Sequence, residues 1–440
     1  MHSMATNLDI TTSNIAALIT RRLAFGIPPT STDPQSQVQD LITASQGTSL
    51  AIQPPQLTAY SQFAAAMKSH NRTALKSLID TSFHEELPAL VSWWLTTAVN
   101  TPAKARERMT LLWHGHFATS IQKVVVSSLM ANQNQLQRQN SLESFSQLTH
   151  GISTDPAMMI WLDTIRNTAG SPNENFGREL MELFTLGVGN YSQNDVVSAA
   201  RSFTGWRFAP KDLSFFINPS QHDFGTKTFL GQSGDFNGDQ VIDIILGQKA
   251  SAQFVASKVF SHIAYPISPN DPIAISLAER YSPTTTPISQ LLTDIVSSSA
   301  FSSPQTLTGL TKQPFEYLIG ALTALKIDPS TLPPRKVVIA LRSLGQVPFL
   351  PPNVGGWPEN RYFVSTSTTS SRLALIQYLL QRGDISPIEE ASPSTRVETV
   401  AYHFNLAPLS QPTLELLNQR INNPYGLVAG ALAAPEYINA

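Results

Sequence analysis

Two histidines flank one glycine in Trp113-His114-Gly115-His116-Phe117, and paired imidazoles are the residues that hold metals or move protons at neutral pH. On an ideal α-helix, residues two apart point about 200° apart, so one metal ion cannot easily take both. Met109, Leu112, Trp113 and His116 follow i, i+3, i+4, i+7, which puts His116 on a core-facing stripe and turns His114 elsewhere. On that reading His116 is a buried, hydrogen-bonded residue and His114 is half exposed. A helix that ends near Gly115 would instead let both converge on one site.

Carboxylates come next. In PNENFGRELMELFTLG, Glu174, Arg178 and Glu182 are spaced i, i+4, i+8 and can pair charges along a solvated helix face. Glu179 borders the apolar face of Phe176, Leu180, Leu183 and Phe184. A carboxylate held there is desolvated, which raises its pKa toward acid/base work. Glu179 and Glu182 are therefore candidates, against the plainer reading of a structural salt-bridge network. His222, Asp223 and Lys227 fall in a loop-like stretch, where a base and a metal ligand, or a simple turn cap, are both open. Asp235, Asn237, Asp239 and Asp243 begin like a calcium loop, but Leu246 stands where the twelfth-position carboxylate is needed, and Asp239 could as easily cap a helix. Trp206 reads as core, with stacking on a flat ligand as the alternative. Gly355 and Gly356 permit a tight path that presents Trp357, with Asn353, Glu359 and Arg361 nearby, as one wall of a cleft or as a rigid plug. No H-E-x-x-H, di-iron E-x-x-H pair, G-x-S-x-G elbow, P-loop or dinucleotide-binding glycine loop occurs.

The elements that must position these residues are helices. Apolar spacing of three and four predicts them at about 14–24, 84–100, 103–118, 121–140, 155–167, 174–187 and 193–205. Further helices are expected at about 250–264, 288–299, 312–326, 334–344, 366–382 and 411–421. Ser192 and Asp195 read as a capping pair for one of them. Alternating strand patterns are scarce, and 212–232 is the best place for a small β-hairpin. The expected fold is all-α: one large multi-helix globular domain over 1–440 with long ordered loops (208–239 and 345–371), and a subdivision, if any, near 300–310.

Composition narrows the partners. Hydrophobic residues are 42%, enough for a large core, while charged residues are only 14% and the net charge is −2. Without a basic field, a nucleic acid is not an expected partner. The absence of cysteine excludes disulfides and thiolate chemistry. A low-charge surface rich in Ser and Thr suits an exported protein, although the opening MHSMATNLDITTSN carries no signal-peptide pattern, so the cytoplasm stays open. No apolar run is long enough to span a membrane.

Five segments taken together are similar to a known family. They are RRLAFG (21–26), ERMTLLWHGHFATS (107–120), the stretch from Pro172 to Phe208, the stretch from His222 to Leu246, and PPNVGGWPENRYFVSTST (351–368). In order and spacing they resemble the domain-of-unknown-function 1800 family of bacterial proteins, over roughly residues 15–385. The resemblance implies a shared fold and carries over no reaction or catalytic residues. Members commonly bear export signals, which this sequence does not display.

Two functional expectations follow. The first is an enzyme, a hydrolase or lyase, with an interhelical cleft in which His114, His116, Glu179, Glu182, His222 and Asp223 do acid/base chemistry, aided or not by a divalent metal. Trp206, Lys227, Trp357 and Arg361 would line the substrate, a carbohydrate or other small molecule. The second is a non-catalytic binding or cell-surface assembly protein. The two divide on whether those side chains meet at one concave point; oligomeric state is not encoded in any pattern found.

Overall fold

Helices form where the apolar spacing repeats and stop where proline, glycine or a polar cap interrupts it. The structure, a computed structural model, describes residues 12–46 and 52–439, so the opening eleven residues, where a leader was sought, lie outside it. Over the described residues the chain is predominantly α-helical, with two small two-stranded antiparallel sheets. Trp206–Phe208 pairs with Phe215–Ile217, and Lys227–Phe229 pairs with Gln232–Gly234. The region expected to hold one hairpin thus carries parts of two.

The helix Pro334–Leu344 has the expected bounds and ends on Gly345 in the left-handed conformation. The capping box of Ser192 and Asp195 opens the helix Gln193–Ser202. Three expected helices are broken. The one expected at 155–167 divides at Asp163, φ 59°, into Pro156–Trp161 and the short turn Thr164–Arg166. Val125, at φ 56°, separates Ile121–Val124 from Ser127–Asn140. The segment expected at 174–187 starts as the α-helix Asn175–Glu179 and widens into a π-helix over Leu180–Thr185.

Two buried apolar clusters fill the interior. One holds Leu18, Met109, Leu112, Trp113, Phe145, Phe184, Trp206 and Phe260. The other holds Phe25, Trp94, Leu111, Tyr317, Phe349, Leu379 and Leu427. The helix Lys104–His116 serves both, so its Lys104, Glu107 and Arg108 are buried as well and must be paired internally. Glu107 accepts hydrogen bonds from the Trp94 indole at 2.9 Å and from Arg138, and the Lys104 ammonium donates to the carbonyls of Ala98 and Val99 at 2.9 and 2.7 Å. Among the described residues no helix is long and apolar enough to cross a membrane.

Candidate functional site

A helix between two cores sends residues two apart into opposite surroundings, and His114 and His116 obey that geometry. His114 is buried among Trp94, Phe349 and Trp357, with ring centroids 4.9–5.4 Å away, and its Nε2 accepts the Phe349 N–H at 2.9 Å. His116 is half buried against Phe145, Phe184 and Phe254. Its Nε2–H donates to the Phe184 carbonyl at 2.9 Å, a helix-end carbonyl that would otherwise lack a partner, and this leaves Nδ1 as the acceptor. Burial, the largest cause for each, pushes both imidazoles down to about 3, so both are neutral at physiological pH. The expected burial is thus reversed, with His114 the fully buried ring.

His116 opens onto a small cleft with a cavity volume of about 90 Å³. Its walls are Leu112, Gly115 and His116 from the central helix, Leu183 from the π-turn, Lys258 from the helix Lys249–Ile263, Gln313 ahead of the helix Pro314–Ala324, and Gly355, Trp357 and Glu359 from the long loop. The loop is pinned there by its backbone. Phe349, at φ 67°, gives its N–H to His114 and accepts from the Ile121 N–H at 3.0 Å. Gly356, at φ 84°, lies so close to Gly115 that an added Cβ would stand 2.4 Å from the Gly115 carbonyl oxygen. Only glycine fits both the angle and the approach.

Behind the cleft, and sharing Gln313 and Glu359 with it, a narrower crevice is lined by Arg108, Ser261, His262, Thr311, Glu316 and Asn360. Arg108 is buried and fully engaged. It bonds His262 Nε2 at 2.6 Å, the His262 carbonyl at 3.1 Å and the Arg22 carbonyl at 2.9 Å, and lies 3.4 Å from Glu316. Burial, and then the Arg108 charge, hold His262 well below its ordinary pKa, consistent with a neutral ring accepting from the guanidinium. Arg21, Arg22 and Lys312 are buried close by, and burial lowers Lys312 to about 7.

Of the residues singled out in the sequence for a site, His116, Gly355, Trp357 and Glu359 meet in this cleft, with His114 packed behind Trp357 and Gly356 holding the loop against Gly115. The others do not line it. Glu182 accepts the Tyr191 hydroxyl at 2.7 Å. Glu179 is half buried, with its carboxyl raised by burial and then by Glu182. His222 donates from Nδ1 to the Thr204 carbonyl at 2.8 Å. Asp223 pairs with Arg201 in a two-pronged bridge at 2.7 and 3.2 Å, which holds its carboxyl below the usual range. Three residues assigned to a ligand are placed otherwise. Trp206 is fully buried against Phe176, Phe203 and Phe215. Lys227 is buried and tied to Asp235 and the Asp223 carbonyl. Arg361 is exposed and lies beside Tyr362. Asn237, rather than Asp239, caps the helix Gly238–Leu246. Among the described residues no group of three or more His, Asp or Glu could hold a metal ion.

Lys258, Gln313 and Arg108 went unselected in the sequence. A signal existed for Arg108, because a helix with apolar residues on every face leaves a charge no solvated side. For Lys258 and Gln313 nothing local marks them out.

Over residues 18–439 the chain matches the model of the family described as a protein of unknown function, DUF1800, and it belongs to that family. No curated protein and no solved structure matches it.

Proposed function

We propose that the cleft between the central helix and the long loop binds a small carbohydrate and holds it without turnover. The observation that carries this reading is the juxtaposition of the half-buried Trp357 indole with Lys258, Gln313 and Glu359 on one concave surface. A pyranose has an apolar C–H face and a rim of hydroxyls, so an aromatic wall beside charged and amide groups complements it. His116 offers Nδ1 as an acceptor, but an imidazole held down to about 3 is a feeble base at pH 7. The acid/base hydrolase or lyase reading is left with Lys258 and Glu359 sharing the cleft; it called for at least three of its named polar side chains at one concave point, and of its six candidates His116 alone lines this one among the described residues.

Calorimetric titration with neutral and acidic mono- and disaccharides tests the proposal. Saturable binding is expected, weakened by about tenfold or more (roughly 1.4 kcal/mol) in Trp357→Ala. Absence of binding across the panel, or binding indifferent to Trp357→Ala, sinks it. Conversion of a sugar to product would favour the enzyme instead.

A further inference from the structure

We propose that the apolar groove between the helices Pro334–Leu344 and Thr366–Leu380 takes the alkyl chain of a monomeric anionic amphiphile, with its head group at Lys336. The groove shares no lining residue with the cleft and offers a cavity volume of about 290 Å³. Its floor is Leu332, Val337, Ala340, Leu375 and Leu379, and among the described residues Lys336 is the one charged residue of its lining. An open concavity lined almost entirely by apolar side chains is the form a small-molecule site takes.

Charge selects the class of ligand. The helix Pro334–Leu344 carries the exposed Arg335, Lys336 and Arg342, neither helix carries a carboxylate, and Arg372 of the second is buried and spent on the Phe363 carbonyl, in a chain whose net charge is −2. Cations gather at one end. Tyr378, which lines the groove, has the Lys336 ammonium 5.7 Å from its ring and the Arg382 guanidinium 3.8 Å from it. Asp384, just past the second helix, is already paired with Lys326 at 2.9 Å. Arg335 and Arg342 stand one turn either side of Ile339, which is 62% exposed at the groove lip. An apolar slot ending in uncompensated cations fits a hydrocarbon tail bearing a carboxylate or phosphate, and disfavours a cationic tail.

The test is titration with dodecanoate below its micelle concentration, beside dodecyltrimethylammonium and phosphatidylglycerol vesicles. Saturable one-to-one dodecanoate binding is expected, with the ammonium analogue weaker by about tenfold. Ala374→Trp, which fills the groove from its exposed side, should weaken dodecanoate by at least about tenfold, and Lys336→Glu by several-fold. Circular dichroism verifies that each variant is folded, and Ser371→Trp replaces Ala374→Trp if that chain fails. Equal binding of the cationic analogue, indifference to both filling substitutions, or retention on vesicles alone would overturn the proposal.

Discussion

His114 and His116 carry the most direct residue-scale consequence, because burial keeps both imidazoles neutral. The unfolded chain protonates a histidine near 6.5, whereas these rings in the fold do so only near 3. Between those values the unfolded state binds more protons, so stability is full above about pH 6.5 and drains as pH falls. Between pH 7.5 and 4.5, the fully buried His114 alone should cost roughly 2–3 kcal/mol. Asp155, raised by burial to about 7, works in the opposite direction over the same range, so the comparison must be against a variant. His114→Gln should start less stable and lose less on acidification; urea titrations at the two pH values measure it, and parallel losses would contradict the account. At this scale the sequence misassigned which ring is buried. Helical period identifies one apolar face, and a helix pressed between two cores has two.

At the scale of elements, the long loop owes its place to Gly356. Gly356→Ala puts a Cβ against the Gly115 carbonyl and forces φ 84° on a residue that resists it, which should cost about 1–3 kcal/mol. The same change should displace Trp357 and abolish ligand binding even where the fold survives. Differential scanning calorimetry and binding together report it, and an unaltered loop would show as wild-type values in both. Strongly periodic helices such as Pro334–Leu344 were legible because their apolar stripe is unbroken. Phe145–Ser153 was missed although Phe145, Leu148 and Ile152 keep the period, since nine residues give too few repeats to stand out. The π-turn at Leu180–Thr185 and the break at Val125 were not legible, because both are settled by packing against neighbours rather than by local propensity.

At the scale of the molecule, Arg108 ties together segments distant in the chain: the first helix through the Arg22 carbonyl, His262, and Glu316. Buried charges of this kind are costly to unpair. Arg108→Ala should therefore destabilise by about 3–5 kcal/mol, read from denaturant midpoints, with Lys258→Ala as a surface control of under about 1 kcal/mol. A loss as small as the control's would show that the network is not what holds these helices together. The all-α class was legible from composition and period. Which polar residues meet was not, because Lys258 and Gln313 reach His116 and Trp357 only through tertiary folding, while Glu182, His222 and Asp223 are satisfied away from the cleft by Tyr191, Thr204 and Arg201, partners 9, 18 and 22 residues distant in the chain.

The chain has six tryptophans, and their indole N–H signals offer the most direct view of the cleft. Trp93, Trp94, Trp113 and Trp206 are buried, and Trp357 is the one that lines the cleft. In a nitrogen-15 tryptophan-labelled sample titrated with the tightest-binding saccharide, the Trp357 resonance, assigned by its loss in Trp357→Phe, should shift progressively while those of the four buried indoles stay fixed. Movement of another indole with Trp357 unchanged, or no movement at saturating sugar, would contradict a carbohydrate site in this cleft.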